Sequence, residues 1–89
     1  MSDSDESLII YPCDFPIKIM GVTQDAFAQT MVELVRVYDP GFDADKMEMR
    51  PSAKGNYLSL TVTVRAISRE QLDNLYRALS SHPMVKVVL

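Results

Sequence analysis

Across residues 15–20, Ile17 and Ile19 alternate with Lys18 and Met20, the two-residue period of a strand with one face buried. Pro16 stands at the start of this run, where a missing N–H is tolerated, and Gly21 closes it. The period then changes. Phe27, Met31, Leu34, Val35 and Tyr38 recur at helical spacing, with Gln29, Glu33 and Arg36 elsewhere on the wheel. Thr23 is the expected N-cap and Asp25 falls in the first turn, where negative charge suits the helix dipole. Asp39-Pro40-Gly41 stops this helix. Met47 and Met49 alternate with Lys46, Glu48 and Arg50 in a short charged run closed by Pro51, the profile of an edge strand. Lys54-Gly55-Asn56 signals a turn. The longest alternation covers residues 57–65, with Leu58, Leu60, Val62 and Val64 on one side and Tyr57, Ser59, Thr61, Thr63 and Arg65 on the other. Ser68 and Gln71 fit a capping box, and Ile67 with Leu72 fits its hydrophobic staple. Leu72, Leu75, Tyr76 and Leu79 then form a buried helical stripe. His82-Pro83 ends that helix, and Val85, Val87 and Leu89 give the expected inner face of a last strand.

The order β-α-β-β-α-β, with two right-handed crossovers sharing one sheet, predicts an α+β, ferredoxin-like domain. Its four-stranded antiparallel sheet has the expected order 4-1-3-2, with both helices on one face. Residues 1–7 are expected to be a disordered acidic tail, and residues 8–89 a single domain, with the apolar patch at 8–11 packing across it. The other sheet face is left open. Lys18, Tyr57, Ser59, Thr61, Thr63, Arg65 and Lys86 are its candidate interaction surface. Met20, Lys46, Glu48, Arg50, Met84 and Val88 fall on the same side of the pattern, giving five positive charges against one negative. An anionic ligand or an acidic partner surface is the expected occupant.

Composition sharpens this reading. Eighty-nine residues suit one domain, and a hydrophobic fraction of 47% is ordinary for a globular chain. The net charge is −3, yet Asp3, Asp5 and Glu6 in the tail supply all of it, because the remaining acidic residues equal the nine basic ones. A neutral domain is a poor general nucleic-acid binder. The single Cys13 cannot form an internal disulfide, which fits a reducing compartment. With no basic, apolar leader and no apolar run near the roughly 18 residues of a membrane span, a cytoplasmic location and no membrane partner are expected.

Catalysis finds little support, and no enzyme activity, catalytic residue, metal site or cofactor is expected. One His and one Cys, far apart in sequence, do not make a usual zinc site. A Cys13 nucleophile would have only His82 as base, and His82 sits where a helix end explains it. Lys54-Gly55-Asn56-Tyr57 before a central strand has a faint likeness to an RNA-recognition signature, but Tyr57 would be a lone ring on the open face, and base stacking needs more. An acylphosphatase-like phosphate cradle would require an Arg after the first strand, where Gly21-Val22-Thr23 has none.

The run Tyr11-Pro12-Cys13-Asp14-Phe15-Pro16-Ile17-Lys18-Ile19-Met20-Gly21 resembles the opening of the YbeD-like family of small bacterial proteins. So do Pro51-Ser52-Ala53-Lys54-Gly55-Asn56-Tyr57, Thr61-Val62-Thr63-Val64 and Gln71-Leu72-Asp73-Asn74-Leu75-Tyr76, together with the ending His82-Pro83-Met84-Val85-Lys86-Val87-Val88-Leu89. The resemblance runs from Tyr11 to the last residue. It implies an ACT-like fold, of the kind that binds small effectors, and a description as a lipoate-binding regulatory protein; it carries over no catalytic residues.

The expected function is a non-enzymatic regulatory module that senses a small carboxylate metabolite such as lipoate. Gly21, Val22 and Thr23 would present backbone N–H groups at a helix N-terminus to the carboxylate, and Lys18 or Arg65 would add charge. The alternative is a protein–protein adaptor or homodimerisation module that uses the open face or an edge strand.

Overall fold

The computed structural model describes residues 10–89, so the expected tail and the first two residues of the 8–11 patch lie outside the described residues. The elements run β1 (Cys13–Val22), α1 (Phe27–Tyr38), a 3-10 turn (Ala44–Lys46), β2 (Glu48–Pro51), β3 (Tyr57–Ala66), α2 (Arg69–Ser81) and β4 (Val85–Val88). All strand pairs are antiparallel, in the order β2-β3-β1-β4, which is the predicted 4-1-3-2 read from the other edge. This is the ferredoxin-like layout, with two helices.

The alternation in β1 and β3 decides where the core lies. Ile17 and Ile19 of β1, and Leu60, Val62 and Val64 of β3, are fully buried. They meet Phe27, Met31 and Val35 of α1 and Leu72, Leu75 and Leu79 of α2 in one cluster. At about 1.5–3 kcal/mol for each fully buried large apolar side chain, this cluster is the main source of stability.

Local chemistry fixes the ends of the elements. The α2 capping box forms: the Ser68 hydroxyl accepts from the Gln71 N–H at 3.1 Å. The returning Gln71 Oε1 accepts from the Ile67 N–H at 2.7 Å, one residue before the cap. Gln71 Nε2 also donates to the Tyr38 carbonyl at 2.8 Å and the Arg65 carbonyl at 3.1 Å, joining the start of α2 to the ends of α1 and β3. Ile67 remains 63% exposed, so a staple there buries little.

Four expectations change. Strand β1 is longer than its alternation suggested, and Pro16 lies inside it, opposite Thr63. Its absent N–H points to the β4 side, where pairing reaches only as far as Lys18, through Leu89; no ladder bond is lost. Helix α1 starts later than predicted: Ala26 is the N-cap, no side chain caps it, and no acidic residue lies in its first turn. The Thr23 N–H instead donates to the Asn56 carbonyl at 3.0 Å, extending the β1–β3 ladder past Val22. Lys46 belongs to the 3-10 turn, because β2 begins at Glu48.

The last strand changes phase. Its register shifts between Met20 and Gly21, which face Val87 and Val85 respectively, so one residue is inserted at Lys86. Val85 and Val88 therefore turn towards the core, while Lys86 and Val87 are exposed. Simple alternation had placed Val87 inside and Val88 outside.

Candidate functional site

Antiparallel register places directly paired residues on the same face, so the open face can be read in rows. One row runs Glu48–Thr61–Lys18, with Leu89 bonded beyond it; the next runs Arg50–Ser59–Met20–Val87; Tyr57 pairs with Val22 at one end, and Thr63 with Pro16 and Arg65 with Asp14 at the other. Lys18, Tyr57, Ser59, Thr61, Thr63 and Arg65 therefore share the open face as predicted, and Lys86 is exposed at the β4 bulge.

The charge distribution differs from the expected five-to-one. Lys46 leaves the face with the 3-10 turn, and Asp14 joins it because β1 starts at Cys13. Asp14 Oδ1 lies 3.3 Å from Arg65 Nη1, and the two residues are direct cross-strand partners. The Arg65 charge is thus locally neutralised. Lys18 and Arg50 differ: among the described residues neither makes an ion pair.

Lys18 and Arg50 come together around Ser59. Two adjoining hollows open there, both lined by Lys18, Arg50 and Ser59. The first, about 200 Å³, is completed by Glu48, Met49 and Thr61. The second, about 230 Å³, is completed by Met20, Pro51, Ser52 and Tyr57. Its walls are mainly apolar. A cationic, hydroxyl-lined depression thus continues into an apolar one along the sheet. Lys18 and Arg50 supply donors for an anion, and the hydroxyls of Ser59 and Thr61 can donate or accept.

Of the expected backbone cradle at Gly21, Val22 and Thr23, the first and last residues have other roles in the sheet. Gly21 is buried and faces Leu58 within the β1–β3 ladder. A Cβ there would meet the Met84 carbonyl oxygen and sit 2.8 Å from two ring carbons of Phe27. The glycine is required because β4 and α1 close over it. The Thr23 N–H is committed to Asn56. Arg65 is also too far away. It lies four register steps from the Lys18 row and seven from Gly21, about 13 Å and about 23 Å at the strand rise. The sequence-based set thus splits: Lys18 stands in the hollows, Gly21 to Thr23 at one sheet end and Arg65 towards the other. Arg50, Met20 and Glu48 complete the hollow; their alternation had placed them on this face, but only the register of β2 against β3 reveals that they surround Lys18.

Cys13 and His82 do not meet. Cys13 opens β1 opposite Ala66, whereas His82 caps α2 beside Met84, whose carbonyl lies over Gly21 at the far end of β1. Eight strand residues, about 26 Å, separate the two ends. His82 Nδ1 accepts from the Met84 N–H at 3.1 Å, a turn-forming role. Among the described residues no group of three His, Cys, Asp or Glu side chains could hold a metal ion, and no helix is long and apolar enough to cross a membrane.

Comparison with known proteins agrees with the fold. The profile of the family described as "Protein of unknown function (DUF493)" matches residues 6–89. A UPF0250 protein of Janthinobacterium sp. (strain Marseille) is 68% identical over 87 residues, covering 98% of this chain and 96% of its own. UPF0250 protein RSc0326 of Ralstonia nicotianae is 70% identical over 84 residues, covering 94% and 87%. Among solved structures, the solution structure of HP0495 from Helicobacter pylori superposes with a TM-score of 0.78 over 100% of this chain and 93% of that one, at 24% identity; this likeness bears on the fold alone. With a profile match over nearly the whole length and relatives at this identity, the chain belongs to the DUF493/UPF0250 family, the YbeD-like small bacterial proteins.

Proposed function

We propose that this protein is a non-enzymatic regulatory module that binds a small carboxylate metabolite with an apolar tail, such as lipoate, on the open face of its sheet. One observation carries the reading: Lys18 and Arg50, neither of them ion-paired, flank Ser59 where a polar hollow runs into one walled by Met20, Pro51 and Tyr57. A carboxylate fits the first and a short aliphatic chain the second. The separation of Cys13 from His82 supports a binding role over catalysis, since a thiolate needs its base within hydrogen-bond reach.

Calorimetric titration with lipoate, octanoate and a panel of amino acids tests this. Lipoate and octanoate should bind with a Kd below about 1 mM, and Lys18→Ala or Arg50→Ala should weaken them about tenfold, the effect of one charge-assisted hydrogen bond. Arg65→Ala, distant and already paired to Asp14, should leave binding within about twofold. No binding by either ligand, or equal losses from all three variants, would sink the proposal.

A second reading, a homodimerisation or adaptor surface, draws on the same face. Val22, Tyr57, Val87 and Leu89 are between 40% and 68% exposed at one corner around Met20, a grouping that favours contact with another apolar surface. Both sheet edges are poor routes: β2 carries Glu48, Arg50 and Pro51, and β4 is short, bulged and bears Lys86. Sedimentation of the wild type against Val87→Asp decides: a dimer that the aspartate dissociates supports this reading, and a concentration-independent monomer removes the homodimer.

A further inference from the structure

The polar hollow contains a third charge that the carboxylate reading does not use. Glu48 lines it together with Lys18 and Arg50. It is directly opposite Thr61, whose other partner is Lys18, and stands two residues from Arg50 on the same face of β2. The strand rise and spacing put it about 7 Å from Arg50 and about 10 Å from Lys18 between backbones. Among the described residues Glu48 makes no ion pair, so the donors of Lys18 and Arg50 remain free to meet a ligand while the Glu48 carboxylate acts on that ligand through its field.

We infer that Glu48 is the specificity-determining residue of this hollow: it holds the hollow at one net positive charge, where Lys18 and Arg50 alone would give two, and so lowers the affinity for dianionic head groups, such as a phosphate monoester, more than that for a carboxylate. This rests on the open-face reading above. A single negative charge on the ligand balances the three side chains. A second negative charge leaves the filled hollow with one excess negative charge and doubles the ligand's repulsion from Glu48. Because Glu48 is exposed on the sheet edge, solvent and salt moderate the effect, and a several-fold bias is the expected scale.

Octanoate and octyl phosphate share one chain and differ in head charge, the phosphate monoester being close to dianionic above its second pKa of about 6. Both are titrated by calorimetry at low ionic strength and mildly alkaline pH into the wild type and Glu48→Gln, which keeps the side-chain shape. The glutamine variant should gain roughly fivefold for octyl phosphate and roughly twofold for octanoate, shifting the ratio towards the dianion. Raising the salt should also narrow the gap between the two proteins for octyl phosphate, because the Glu48 field that separates them is screened. A ratio that Glu48→Gln leaves unchanged overturns the role of Glu48 while leaving the carboxylate site intact. Octanoate binding to neither protein overturns the site itself, and this inference with it.

Discussion

The Asp39 carboxylate accepts the backbone N–H of Arg65 at 2.9 Å. In β3, Arg65 presents this N–H towards β2, but β2 pairs only as far as Thr61, so the donor would otherwise lack a strand partner. Asp39 is the C-cap of α1 and 8% exposed. It completes the sheet where β2 falls short and fastens the end of the first helix to the central strand. A buried N–H left without an acceptor costs about 1–3 kcal/mol. Asp39→Ala should therefore lower unfolding free energy by about that amount in urea denaturation. Asp39→Asn, whose Oδ1 can still accept, should retain more than half of it. An alanine variant within about 0.5 kcal/mol of the wild type would remove this bond from the stability argument.

Gly21 gives a second measurement, one that separates packing from binding. Its alanine variant would push a methyl group against the Met84 carbonyl oxygen, which is backbone, and against the Phe27 ring. Neither yields without moving β4 or α1, so Gly21→Ala should destabilise by about 1–3 kcal/mol or more, the cost of overpacking. The loss should show as faster amide exchange in β4. Were Gly21 kept for a ligand instead, the variant would fold with wild-type stability and fail only in titrations.

Most of the fold was legible because hydrophobic period reports directly on burial, and Ile17, Ile19, Leu60, Val62 and Val64 are the buried centre. The errors arose where period stops carrying information. A bulge inserts one residue into β4 without altering its composition, and this turns Val88 inward. Thr23 looks like an N-cap from local chemistry, but the β3 ladder takes its N–H first. The site was legible in part. Lys18 could be placed on the open face from alternation, whereas its meeting with Arg50 depends on register between strands distant in sequence. Asp14 was passed over for a related reason: strand pairing with Arg65 and Ala66 extends β1 beyond the residues that alternate clearly.

Tyr76 supplies a pH-dependent test of the helix layer. Burial against the core raises its hydroxyl above the ordinary tyrosine range by desolvating the phenolate. The sign follows from proton binding. As pH rises past the unfolded tyrosine value of about 10, the unfolded chain releases the Tyr76 proton while the folded chain still holds it. Stability is therefore unaffected by this group below that pH, and falls as pH climbs from there through the raised folded value. Thermal unfolding of wild type and Tyr76→Phe, followed from about pH 9 to about pH 11, should give curves whose difference grows with pH in favour of phenylalanine. Phenolate absorbance in the folded protein should show one tyrosine ionising late, and that step should vanish in the variant. Parallel curves across the range would mean that water reaches the hydroxyl as freely in the folded state as in the unfolded one.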